Sequence, residues 1–167
     1  MDQFNLFLFV VSIIGIVVFI SLYFVDAGYG KMISDKWGPA INNKVGWILM
    51  ECPVFFVVLY MWASSEVRFE LPYLVFFLLF ELHYFQRSFV FPLLMKGHSK
   101  MPIVIMALSI AFNLVNGYIQ GYWLFVKAPQ TEPYQQLYTA QWFADPRFII
   151  GTIIFITGMV INIHSDY

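Results

Sequence analysis

Residues 4–25 read FNLFLFVVSIIGIVVFISLYFV, 22 residues without a single charge. A helix that crosses the hydrocarbon core of a bilayer needs about 20 mostly apolar residues, so this run is long enough to span. Residues 1–25 carry no Lys or Arg, and the apolar run is too long for the core of a secretory signal peptide. It reads as a first membrane span, Phe4 to Val25. Working outward, four more apolar segments follow: Val45 to Ala63, Pro72 to Met95, Pro102 to Val126 and Phe148 to His164. Polar connectors separate them at Asp26 to Lys44, Ser64 to Leu71, Lys96 to Met101 and Lys127 to Arg147.

The composition agrees with that reading. Of 167 residues, 60% are hydrophobic and 11% are charged, against about 25% charged in an average soluble domain. Disorder is excluded by so much apolar material. Nine Lys+Arg against ten Asp+Glu leave no basic field for nucleic acid. A soluble domain this small could not hide so many apolar side chains. The expected class is an all-α integral membrane protein with five transmembrane helices, multi-pass, embedded in lipid and binding no nucleic acid. A single cysteine, Cys52, rules out an internal disulfide and leaves the redox compartment unread.

Basic residues set the orientation. Lys31, Lys36, Lys44, Lys96, Lys100 and Arg87 lie in or toward the first and third loops; only Arg68, Lys127 and Arg147 lie on the other side. The bias of six to three puts the N-terminus outside and the C-terminus in the cytoplasm.

Polar groups inside spans cost a few kcal/mol unless paired or facing a cavity, so each is a functional candidate. Glu51 lies seven residues in from Lys44, about 10 Å deep, and Pro53 is expected to bend the helix beside it. Glu51 reads either as a functional carboxylate or as a structural one bonded to a neighbouring helix. The third span carries Glu81-Leu82-His83-Tyr84-Phe85-Gln86-Arg87-Ser88, with Tyr84, Arg87 and Ser88 on one face. Arg87 is a permanent charge whose planar fork suits phosphate or carboxylate; the plainer alternative is an internal ion pair with Glu81 or Glu51. Pro92 is expected to kink or end this helix, which would leave Tyr84 at about the depth of Glu51.

In the fourth span Asn113, Asn116 and Gln120 make one amide stripe, and Gly117 and Gly121 a small-xxx-small pair; helix packing is the preferred reading of both. In the fifth, Asn162 and Asp166 share a face. Asp166 would be unfavourable at the negative end of a helix stopping at Tyr167, which hints at a continuation. His83, His98 and His164 are scattered and imply no metal site. Phosphate-loop, dinucleotide-fold and His-Glu-x-x-His motifs are absent.

Three stretches carry a more specific signal: His83-Tyr84-Phe85-x-Arg87-Ser88-Phe89, Asn116-Gly117-Tyr118-x-Gln120-Gly121-Tyr122, and Gly158-Met159-Val160-Ile161-Asn162-Ile163-His164-Ser165-Asp166. With Trp142-Phe143-x-Asp145-Pro146-Arg147-Phe148 and the Glu51-x-Pro53 pair, they resemble the steroid 5-alpha-reductase (3-oxo-5-alpha-steroid 4-dehydrogenase) family over most of residues 45–167. The resemblance implies an NADPH-dependent oxidoreductase of steroid and lipid metabolism that reduces the 4,5 double bond of 3-oxo-Δ4 steroids. It makes Glu51 and Tyr84 the residues that bind the 3-keto oxygen. It places Arg87, Asn116, Gln120, Asn162 and Asp166 on the cofactor side, with Lys96 in the run Lys96-Gly97-His98-Ser99-Lys100, where the family commonly has basic-glycine-basic. The compartment implied is the endoplasmic reticulum membrane in a eukaryote or the inner membrane in a bacterium.

The chemistry is consistent with these residues. Hydride delivery to C5 of an enone develops negative charge on the 3-oxygen, and a Tyr84 hydroxyl with a protonated Glu51 could both donate to it. The sequence names no proton donor for C4. The family's pattern continues past the position of Asp166, through further spans and cofactor contacts that this chain lacks. Residues 1–167 are therefore expected to be a single transmembrane domain matching the N-terminal part of a fold of about seven helices; a separate C-terminal fragment or further residues past Tyr167 would each complete it. Two rival readings remain: a related reductase of a polyprenol or enoyl thioester, and a non-enzymatic membrane module that uses Glu51 structurally.

Overall fold

The computed structural model describes residues 2–25, 35–97 and 99–166; Lys31 and His98, used above in the charge bias and the basic run, lie outside them. Five helices are long and apolar enough to cross a membrane: α1 (Gln3–Ser21), α2 (Asn43–Ala63), α3 (Leu71–Leu94), α4 (Ile103–Gln130) and α5 (Pro146–Asp166). The all-α membrane class follows, since a bilayer satisfies no backbone group and helices satisfy their own. Large apolar side chains on every helix face outward, among them Phe19, Phe56, Leu78, Phe112 and Ile154, as lipid contact requires and water would not tolerate.

Helix starts follow local chemistry. Asp2 caps α1 by accepting from the Asn5 N–H at 2.8 Å, and Asn42 caps α2 by accepting from the Lys44 N–H at 2.9 Å. Pro72 and Pro146 sit in the first turns of α3 and α5, where a missing N–H costs nothing. Proline behaves less simply inside helices. α2 runs unbroken through Pro53. α3 does not end at Pro92 but continues to Leu94, because residues 86–90 form one π-helical turn in which the Phe91 N–H reaches the Gln86 carbonyl. Pro92 has no N–H for the Ser88 carbonyl, and its ring crowds that oxygen; the wider turn relieves both. A second such turn, Trp123–Lys127, carries α4 four residues beyond the expected Val126.

The seam of α2, α3 and α4 holds the core. Val58, Tyr73, Phe77 and Phe125 are buried together, with Trp62 stacked on Phe77 at 4.2 Å. Gly117 and Gly121 let α4 approach α2: a Cβ added to Gly117 would stand 3.2 Å from Val57 Cβ and 3.3 Å from Val54 Cα. The small-xxx-small pair therefore serves close helix packing.

Contacts at the two ends show that the spans alternate. At one end β1 (Ala40–Asn42) pairs antiparallel with β2 (Lys100–Pro102), Ile41 opposite Met101, and Asn43 Nδ2 donates to Ser99 Oγ at 3.0 Å. The first and third loops thus share an end. At the other end Ser65 Oγ donates to the Phe125 carbonyl at 2.9 Å, and Lys127 Nζ reaches Asp2 Oδ2 at 2.6 Å. Lys127 holds the Asp2 carboxyl below the usual carboxylate range, so this tie of α1 to α4 persists as pH falls until Asp2 finally protonates.

Charge alone decides which end is cytoplasmic. In a Cys52→Ala background, a cysteine at Ser99 is expected to react with an impermeant thiol reagent from the cytoplasmic face and one at Thr131 from the opposite face. Labelling of both from one face would overturn the five-span arrangement.

Candidate active site

Four helices meet at a cavity of about 310 Å³ whose walls include Glu51, His83, Tyr84, Arg87, Asn113 and Asn162. Glu51 comes from α2, two residues before Pro53. Tyr84 and Arg87 come from α3, and the π turn that begins at Gln86 carries Arg87. Such turns recur at functional sites because they re-aim a side chain within a helix. Asn113 and Asn116 come from α4, Asn162 and Asp166 from α5.

Arg87 is the hub. Its Nη1 donates to Asn162 Oδ1 at 3.3 Å and to Asp166 Oδ2 at 3.1 Å. Its Nη2 lies 3.8 Å from Glu51 Oε1, within ion-pair range but too far for a hydrogen bond. The guanidinium faces the rings of Trp47 at 4.5 Å and Phe91 at 5.0 Å, contacts that hold its plane by cation–π attraction. Both hydrogen bonds to α5 thus use one nitrogen, Nη1, while Nη2 faces Glu51.

Glu51 Oε2 accepts from Asn113 Nδ2 at 3.3 Å, and the same Nδ2 donates to the Met50 carbonyl at 2.6 Å. Tyr84 Oη accepts from Asn116 Nδ2 at 2.8 Å, while its ring rests against Phe80 at 4.7 Å. His83 contacts Tyr84 and Phe155 edge-on.

The structure thus gathers Glu51, Tyr84, Arg87 and Asn162 at one cavity and joins Asp166 to it through Arg87. Asn116 bonds Tyr84. Lys96 lies in an adjoining cleft of about 320 Å³ with Phe91, Ser165 and Asp166. Gln120 is placed apart, in an apolar groove of about 290 Å³ with Phe80, Leu124 and Phe148. Of the two carboxylates the sequence offers Arg87, Glu51 is the partner and Glu81 is not. Glu81 is six residues away on the same helix, off the Arg87 face, and is buried without a hydrogen bond among the described residues. Trp47 had no signal of its own, being an aromatic in an apolar span; its place one turn before Glu51 is the only pointer to the Arg87 contact.

The family described as 3-oxo-5-alpha-steroid 4-dehydrogenase matches residues 99–167. Steroid 5-alpha-reductase DET2 of Arabidopsis thaliana is 36% identical over 151 residues, which cover 87% of this chain and 55% of that protein. The 3-oxo-5-alpha-steroid 4-dehydrogenase 2 of Sus scrofa is 38% identical over 152 residues, 89% of this chain and 56% of that protein. The human 3-oxo-5-alpha-steroid 4-dehydrogenase 1 is 32% identical over 156 residues, 92% of this chain and 57% of that protein. The chain therefore spans just over half the length of these relatives. On these matches, the chain is similar to the steroid 5-alpha-reductase family over just over half the length of its relatives.

Proposed function

We propose that the protein reduces the 4,5 double bond of a 3-oxo-Δ4 steroid, with NADPH as the reductant. The observation that carries the reading is the meeting of Glu51 and Tyr84, from two helices, at one cavity that Arg87 and Asn162 also line, with Asp166 bonded to Arg87. The donor set suits a dinucleotide: Arg87 and Lys96 offer cations to its phosphates, and Asn162 and Asp166 offer an amide and an acceptor to its hydroxyls. NADPH, when bound, supplies the hydride that adds to C5.

The chain's own groups act on the other end of the enone. As C5 gains the hydride, the C4–C5 π electrons move toward C3 and charge gathers on the 3-oxygen. Tyr84 Oη–H and a neutral Glu51 donate to that oxygen and stabilise the enolate. Collapse of the enolate restores the carbonyl as C4 takes a proton. Met50 and Phe112 supply apolar contacts beside these polar groups for the flat sterol body.

The test is an assay of membranes containing the protein, supplied with NADPH deuterated at the transferred position. The expected product is the 5α-dihydro-3-oxo steroid with deuterium at C5. Reduction of a polyprenol or an enoyl thioester, with the steroid untouched, would instead assign the protein to a related reductase.

Arg87 gives a second check. Arg87→Ala removes charge-assisted hydrogen bonds, each worth about 1.5–3 kcal/mol. The half-saturating NADPH concentration is expected to rise about 10- to 150-fold, with little change in that of the steroid. Unchanged cofactor dependence would reduce Arg87 to an internal counter-ion.

A further inference from the structure

We propose that Asn113 and Asn116 set the donor direction of Glu51 and Tyr84, so that both present a hydroxyl hydrogen to a single ligand oxygen. The inference rests on the reading of Glu51 and Tyr84 as the carbonyl site and assigns its polarity to two positioning residues on α4.

The orientation of Asn113 is fixed by chemistry. The Met50 carbonyl only accepts, so the Asn113 atom 2.6 Å away must be Nδ2. That same Nδ2 stands 3.3 Å from Glu51 Oε2. A proton on Oε2 would face the amide hydrogens of Asn113, so a neutral Glu51 carries its proton on Oε1. The nearest cation to Oε1, Arg87 Nη2 at 3.8 Å, is beyond hydrogen-bond distance. Oε1 therefore keeps its hydrogen for the cavity.

Asn116 does the same for Tyr84. A phenol hydrogen prefers the plane of the ring and has two positions there. Asn116 Nδ2 donates to Oη at 2.8 Å and takes one side, leaving the hydrogen the other. Among the described residues Tyr84 Oη has no further hydrogen bond. Donation into an oxygen also polarises its own O–H and strengthens it as a donor.

Asn113 and Asn116 are one turn apart, so one helix face serves both groups. Asn113 also ties α4 to α2 through the Met50 carbonyl, on the face where Gly117 and Gly121 bring the two helices close; Asn116 makes no such tie to the α2 backbone among the described residues and bonds Tyr84 instead.

The experiment uses Asn116, which is less buried than Asn113. Asn116→Asp replaces the donor by an acceptor of nearly equal size, which competes for the Tyr84 proton. Asn116→Leu removes the donor without adding an acceptor. The readout is equilibrium binding by the solubilised full chain of a 3-oxo-4-ene steroid and of the same steroid without its 3-oxygen. The affinity ratio of the two is expected to fall about tenfold or less for Leu and about 10- to 100-fold for Asp. Binding of the deoxy steroid should stay within about twofold of the parent. In a Tyr84→Phe background neither substitution should change the ratio.

An Asp variant no worse than Leu, or an equal loss with Tyr84 already replaced, would overturn the proposal. A parental ratio in Tyr84→Phe alone would instead remove the underlying carbonyl site. If the Asp variant does not accumulate in the membrane, Leu in the two backgrounds decides alone: a loss present with Tyr84 and absent in the Tyr84→Phe background supports the proposal, and any other pattern overturns it.

Discussion

Tyr84→Phe is expected to lower steroid turnover by about 10²–10³, the range for deleting one donor to a developing oxyanion. The change removes one oxygen and almost no volume. The ring keeps its contacts with Phe80 and His83, so the helix seam need not move. Asn116 loses its acceptor, and leaving a part-buried amide unpaired costs about 1–3 kcal/mol of stability. That loss is readable in the melting temperature and separable from catalysis. Nothing in the substitution touches the Arg87 cluster, so the half-saturating NADPH concentration should hold. The required measurement is single-turnover reduction at saturating NADPH and steroid, with the melting temperature taken on the same sample. Turnover at the parent rate by folded protein would remove Tyr84 from the chemistry, and the enolate reading would lose its central donor.

The five helices were legible because a bilayer allows an α-helical chain little else: apolar length alone marks each span. Their interruptions were not. Pro92 reads as a kink or an end because proline forbids the α register, whereas a π turn steps around the restriction; whether a helix stops or widens depends on what packs beside it. The pairing of the first and third loops rests on three-residue strands too short to stand out.

In the site, Glu51 and Arg87 were visible because an ionisable group is costly in lipid, and Tyr84 through its place on the Arg87 face and in the family motif. The choice between Glu51 and Glu81 as the neighbour of Arg87 was open, because spacing along one helix says nothing about the approach of another. The amide stripe of Asn113, Asn116 and Gln120 was also visible, and spacing was again too weak to divide it. Gln120 keeps the azimuth of Asn113 but lies two turns, about 10 Å, further along the axis, which is enough to carry it out of the cavity and into the apolar groove.

Glu51 gives the sharpest remaining test, because two roles for one carboxyl predict different orders of damage. Glu51→Ala removes a hydrogen-bonding group beside both Arg87 and the proposed oxyanion, and a loss of about 10²–10³ in turnover is expected. Glu51→Gln separates the roles. If Glu51 acts as a neutral donor, glutamine can take its place: its amide oxygen accepts from Asn113 as Oε2 does now, and its NH2 points where the Oε1 hydrogen would. The donor is weaker, and turnover should fall by about tenfold or less, the worth of one neutral hydrogen bond. If Glu51 acts instead as the carboxylate partner of Arg87 across 3.8 Å, the amide supplies no charge. Gln should then be about as damaging as Ala, and the loss should appear in NADPH affinity as well as in turnover. Asp166, which bonds Arg87 more closely at 3.1 Å, remains in both variants and keeps the guanidinium neutralised, so misplacement of Arg87 should not mask the comparison. A mild Gln with a severe Ala supports the donor. Equal severity, together with a shifted NADPH requirement, would transfer Glu51 from the steroid side of the cavity to the cofactor side and leave Tyr84 as the sole donor to the 3-oxygen.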